Sequence, residues 1–132
     1  MHKIWTTVIV SAILTGCAQP PKKPDMPISQ VAPTPICKGE AQCAAMWGRA
    51  IEGIQMVTRM KVAEANDTFI RTYPTRKIGY LNGQVFKQSL GDGAYAIKAS
   101  IDCGQSAWCS NILNSGMNLF NTHVQGFEKR PQ

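Results

Sequence analysis

The sequence predicts an α+β fold: a helix, three to four antiparallel strands and a second helix, with both helices packed on one face of the sheet and two disulfides. Three observations carry this. Apolar residues recur at helical spacing near both ends of the region 37–127, and residues 94–103 between them alternate strictly. Cys37, Cys43, Cys103 and Cys109 flank these elements as two equally spaced pairs.

The first helix is expected to begin near Ala41. Ala44, Trp47, Ala50, Ile51, Ile54 and Val57 recur at three and four residues, with Gln42, Arg49, Glu52 and Gln55 opposite. That spacing describes an amphipathic helix. Gly48 and Gly53 each weaken it by about 1 kcal/mol relative to alanine. Tertiary packing must therefore support the helix, or another element approaches closely at these positions. Trp47 lies on the apolar stripe and reads as a core anchor rather than a ligand-stacking residue. Residues 59–65 leave two options open, a continued helix or a strand starting near Met60.

Thr68-Phe69-Ile70-Arg71-Thr72-Tyr73 is rich in aromatic and β-branched residues and reads as a strand ended by Pro74, after a turn at Asn66-Asp67. Arg76 and Lys77 open a basic turn. Asn82-Gly83 then sits between two apolar stretches, 78–81 and 84–90, which predicts a type I′ hairpin. Gly91-Asp92-Gly93 separates the second of these from the cleanest element in the chain. There Tyr95, Ile97, Ala99, Ile101 and Cys103 fall on one face, and Ala96, Lys98, Ser100 and Asp102 on the other. Strict alternation means one buried and one wet face. A second helix follows Gly104. Ser106 is its candidate cap, Cys109, Ile112, Leu113, Gly116, Met117, Phe120 and Val124 form its apolar stripe, and Gly126 is its stop.

The cysteine pairs are each separated by five residues, whereas zinc motifs use two to four, and the only histidine in the folded region is His123. Disulfides are the expectation. Local bridges, Cys37–Cys43 and Cys103–Cys109, would each close about seven residues and contribute about 2.4 kcal/mol. A Cys37–Cys109 bridge would close about 73 residues and contribute about 4.4 kcal/mol. Loop entropy thus leans towards the long-range pairing and the repeated spacing towards the local one. The local pairing is the expectation adopted.

Upstream, Met1-His2-Lys3 carries one lysine and no acid, and an apolar run follows from Ile4 to Leu14. Eleven residues cover about half of a ~30 Å hydrocarbon core, too few to span it. This describes a secretory signal peptide over 1–16. Its exit, Leu14-Thr15-Gly16-Cys17, resembles the lipobox of bacterial lipoproteins. That resemblance implies cleavage before Cys17 and acyl chains on its sulfur and new amino group, a stable membrane anchor. Ala18, where sorting to the inner membrane uses aspartate, implies the outer membrane, facing the periplasm or the surface. Residues 17–36 then form the lipidated cysteine and a Pro-rich tether. At about 3.1 Å per residue this tether reaches about 60 Å from the bilayer. The folded domain spans 37–127, and 128–132 is a tail.

Across the domain, Cys37, Cys43, Met46-Trp47, Met60-Lys61, Ala65-Asn66-Asp67, Thr72-Tyr73, Gly93-Ala94-Tyr95 and the last two cysteines resemble small proteobacterial lipoproteins. That resemblance implies no activity and no site. The double-stranded RNA-binding domain shares the element order, but an exported chain has no access to cytoplasmic RNA, so nucleic acid is not an expected partner. The formal charge of +6, one unit of it from Lys3, is scattered and reads as solvated faces.

No catalytic pattern stands out. His123 is expected to be a boundary residue, Asp67, Asp92 and Asp102 fall at turns or on the wet strand face, and Gly91-Asp92-Gly93 is a turn rather than a phosphate loop. The expectation is a non-enzymatic, cofactor-free interaction module, held to the membrane by lipid on Cys17 and binding an envelope protein or polymer. Its candidate contact face is the wet side of the sheet, with Arg71, Lys87 and Lys98, or an unpaired edge strand. The alternatives are an accessory lipoprotein of a secretion or conjugation apparatus, and a small cell-wall enzyme or inhibitor. Cys17→Ala should release the protein from the membrane fraction; retention there in cell fractionation would overturn the lipobox reading.

Overall fold

A computed structural model describes residues 32–104 and 109–126. The expected leader, Cys17 with most of the tether, the Ser106 cap and the 128–132 tail lie outside the described residues. Seven elements follow one another: β1 (Ile36–Lys38), α1 (Glu40–Thr58), β2 (Val62–Ala65), β3 (Phe69–Thr72), β4 (Asn82–Gly91), β5 (Ala94–Asp102) and α2 (Ser110–Gln125). The strands form one antiparallel sheet in the order β1-β5-β4-β3-β2. Both helices cover the same face and pack on each other, and a single core joins them to the sheet.

The α+β class and the helix layer are as the sequence predicts; the strand number is not. There are five strands, because 62–65 forms β2 and three residues around Cys37 form β1. Helix α1 stops at Thr58 because its last turn is closed by side chains and by a left-handed residue. Thr58 Oγ1 donates to the Ile54 carbonyl at 2.6 Å and accepts from Met60 N at 3.2 Å. Arg59, at φ 60°, donates its N–H to the Gln55 carbonyl, the bond of an αL cap. Gln55 Oε1 accepts from Val62 N at 3.3 Å, so the helix end also holds the start of β2.

β5 keeps the expected alternation from residue 97 on, with Tyr95, Ile97, Ala99 and Ile101 on the core and Lys98, Ser100 and Asp102 exposed; Ala96, expected on the wet face, is buried between β1 and β4. Its turn with β4 uses Asp92 and Gly93, both at positive φ, as a two-residue type I′ turn requires.

Asn82-Gly83, by contrast, is not a hairpin. The turn falls earlier, at Ile78-Gly79, and Asn82 and Gly83 open β4, paired with Asp102 and Ile101. Helix packing overrides the local turn preference. A Cβ on Gly83 would lie 2.7 Å from Ile54 Cδ1 and Cγ1 and from Thr58 Cγ2, so glycine here lets α1 lie directly on the strand. Asn82 serves as a strut: its Oδ1 accepts from Thr75 N at 2.7 Å and its Nδ2 donates to Asp102 Oδ1 at 3.0 Å.

Helix–helix packing uses small residues in the same way. Gly53 faces Phe120 and His123 of α2, and Gly116 faces Val57 of α1. Gly48 meets nothing, so only one of the two α1 glycines marks a close approach.

The core gathers Met46, Trp47, Ala50, Ile54, Ile70, Leu81, Val85, Ile97, Ile101, Phe120 and Val124 with three of the bridged cysteines. Each large aliphatic side chain so buried contributes about 1.5–3 kcal/mol. The bridges are the local ones, Cys37–Cys43 and Cys103–Cys109, with Cα atoms 5.0 and 6.0 Å apart. The first ties β1 to α1, and the second ties the end of β5 to the start of α2.

The chain is already fixed at Ala32, within the expected tether. Asn118 Oδ1 accepts from Ala32 N, Asn121 Nδ2 donates to the Ala32 carbonyl, and Gln125 Nε2 donates to the Pro33 carbonyl. Pro35 is buried, and its carbonyl accepts from Ile97 N. Prolines offer carbonyls but no N–H, and the amide side chains of α2 match that demand.

Gly83→Ala is expected to destabilise the domain by about 1–3 kcal/mol through overpacking. Gly48→Ala, in open space on the same helix, should stabilise it by up to about 1 kcal/mol. Urea unfolding distinguishes the signs; a neutral Gly83→Ala would contradict the close approach.

Candidate functional site

The three cations expected on the wet face do not share it. Arg71 and Lys98 do lie there. Arg71 pairs with Glu64 at 3.2 Å, both about half exposed, an ion pair worth little in stability. Lys98 stands beside Phe86 in register, and Phe86 meets Phe69 at 5.2 Å between ring centroids. Lys87 is paired with Ile97 and therefore points to the helix side. Its Nζ lies 4.6 Å over the ring of Trp47, a cation–π contact.

Trp47 is 8% exposed, and its indole N–H donates to the Asn66 carbonyl at 2.9 Å. Asn66 Oδ1 in turn accepts from Thr68 N and Phe69 N and shapes the β2–β3 turn. Trp47 is thus a core anchor that also fixes a turn, as its place on the stripe predicts. His123 joins the two helices: it packs against Gly53, and its Nε2 lies 3.5 Å from Glu52 Oε2.

A concavity lies elsewhere, between the C-terminal end of α1, the 73–81 connection and α2. It has a volume of about 640 Å³, within the range of ligand-binding clefts. Met56, Val57, Leu81, Ile112, Gly116 and Leu119 give it apolar walls, and the Cys103–Cys109 bridge borders it. Arg59, Arg76 and Lys77 supply its charge, and among the described residues its lining contains no aspartate or glutamate.

Backbone bonds set this shape. Leu81 N donates to the Thr58 carbonyl, Tyr80 N to the Lys77 carbonyl and Lys77 N to Thr75 Oγ1. With Thr75 held by Asn82, both ends of the loop are fastened to α1 and β4. Gly79, at φ 84°, makes the turn at the tip. Leu81 turns into the core, whereas Ile78 is 93% exposed.

Nine large hydrophobic side chains are exposed among the described residues, and five of them, Met56, Ile78, Tyr80, Ile112 and Leu119, line this one groove. Scattered exposed apolar residues need no explanation, but a contiguous patch marks an interaction surface. The groove can take hydrocarbon against its walls and negative charge at its three cations. Among the described residues, no group of three or more His, Cys, Asp or Glu could hold a metal ion.

The basic turn at Arg76-Lys77 was legible as a sequence feature, but not its convergence with two helix ends. Its signal is Ile78 and Tyr80 following two cations in a connection too short to bury them. Comparison with protein-family models, curated proteins and solved structures finds no match.

Trp47→Phe should destabilise the domain by about 1–3 kcal/mol, since it leaves the Asn66 carbonyl unpaired. Thermal unfolding checks this; an unchanged melting temperature would reopen Trp47 as a ligand-stacking residue.

Proposed function

We propose that this protein is a lipid-anchored cell-envelope interaction module, sorted to the outer membrane. In this reading the signal peptide 1–16 is removed, Cys17 carries the acyl chains, and the Pro-rich stretch holds the folded domain off the bilayer. Support comes from the lipobox and from two disulfides in so small a domain, a combination suited to an oxidising compartment. The domain performs no chemistry of its own and works by binding.

The observation that carries the binding role is the groove. Five exposed apolar side chains around one cleft are costly in water, and three cations with no acid among the described lining residues suit the cleft to an amphiphilic, anionic component. This moves the contact surface from the wet sheet face to the other side of the sheet. Arg71 and Lys98 keep a solvated role, and Lys87 a packing role on Trp47.

Photo-crosslinking residues introduced at Ile112 and Leu119 in the native host should give discrete adducts. The same residues at Ser100 and Gln84, on the wet face, should not. Adducts confined to the wet face, or none at either surface with the protein at its normal level, would overturn the groove as the contact site.

A further inference from the structure

We infer that the mouth of this groove, with the Arg76-Lys77-Ile78-Gly79-Tyr80 tip, rests on the surface of an anionic phospholipid bilayer. The inference deepens the groove's assignment as the contact site and names its partner. It holds for any anionic bilayer the domain meets and does not depend on acylation of Cys17.

The shape of the tip decides between a bilayer and a protein partner. A peptide lying in a cleft is gripped by its walls, and a side chain projecting from the rim adds nothing to that grip. Ile78 is 93% exposed at the apex of a turn, with Lys77 before it and Tyr80 after it. An isolated aliphatic side chain at a tip gains its burial by dipping into a soft apolar layer. Lysine and arginine stems lie along such a layer with their charges at the headgroups. Tyrosine, apolar in its ring and polar at its hydroxyl, belongs at the same depth.

Met56, Ile112 and Leu119 extend the apolar contact from the tip onto both helices, and Arg59 adds a third cation at the end of α1. The charge is complementary to phosphate headgroups, and among the described residues no carboxylate in the lining opposes it. The tip is held by its fastened ends and by the Tyr80–Lys77 backbone bond within it, so seating it on a bilayer requires no rearrangement of the core. The wet face of the sheet, on the other side of the strands, then stays free of the membrane.

The test is flotation of the full chain carrying Cys17→Ala, so that no acyl chain contributes. The vesicles are phosphatidylcholine mixed with phosphatidylglycerol, or phosphatidylcholine alone. The chain should bind the anionic vesicles and bind more weakly to the neutral ones, and salt should weaken the anionic binding. Arg76→Gln with Lys77→Gln should reduce partitioning about 25-fold, at about fivefold per charge. Ile78→Ser should reduce it about tenfold. These side chains are exposed, so melting temperatures should match the parent and confirm intact folds. The apolar run 4–14 is common to all variants, and their differences therefore report on the tip alone. Equal binding to neutral and anionic vesicles, or variants that bind like the parent, would overturn the inference. So would a chain that ignores both vesicles while crosslinking through Leu119 to a protein; the groove would then be a protein site and the contact assignment would survive. Membrane retention of the unmodified protein reads the anchor separately.

Discussion

The contact of α1 on β4 at Gly83 is the constraint from which most of the structure follows. The Ile54 and Thr58 side chains lie where a Cβ would otherwise be, so at this point the helix packs against strand backbone. That approach brings Ile54 against a core that includes Val85, Ile97 and Phe120. It also leaves the Thr58 carbonyl within reach of Leu81 N, which hangs the 73–81 connection from the helix end. The groove is a consequence: it forms where a helix that must stop meets a loop that has been pulled up to it.

The two disulfides act on different margins of the same core. Cys37–Cys43 joins the short edge strand β1 to the first turn of α1, and Cys103–Cys109 joins the last strand to α2. A three-residue edge strand is marginal by itself. Here it is held by β5, by the bridge and by amide side chains of α2 bonded to the chain just before it. These constraints fix how the segment arriving from the proposed tether enters the domain.

The two faces of the domain divide its surface chemistry. The open sheet face mixes Lys98, Ser100, Gln84 and the Arg71–Glu64 pair with Phe69 and Phe86 in contact, a surface whose charges are partly matched. The groove sets three cations beside apolar walls, with no acid among its described lining residues. A contiguous exposed apolar patch marks an interaction surface, and the groove gathers five of the nine exposed large hydrophobic side chains among the described residues. Placing Lys87 on Trp47 takes one cation away from the sheet face.

The sequence by itself determined what depends on near neighbours. The α1 stripe, the alternation of β5, the Asp92-Gly93 turn, the Gly126 stop and the local cysteine pairs were all legible, because periodicity, turn chemistry and short loops need only a few adjacent residues. The tertiary structure decided what depends on a distant partner. Asn82-Gly83 carries a strong hairpin signature, yet helix packing claimed the glycine and the Thr75 and Asp102 contacts claimed the asparagine. Lys87 read as a wet-face residue until its register with Ile97 turned it inward. β1 was hidden because three residues beside prolines carry too little pattern to read as a strand without β5 beside them. The groove belongs to the same class: Arg59, Ile78 and Leu119 lie far apart in the chain, and only the packing of α1, α2 and the 73–81 loop brings them to one mouth.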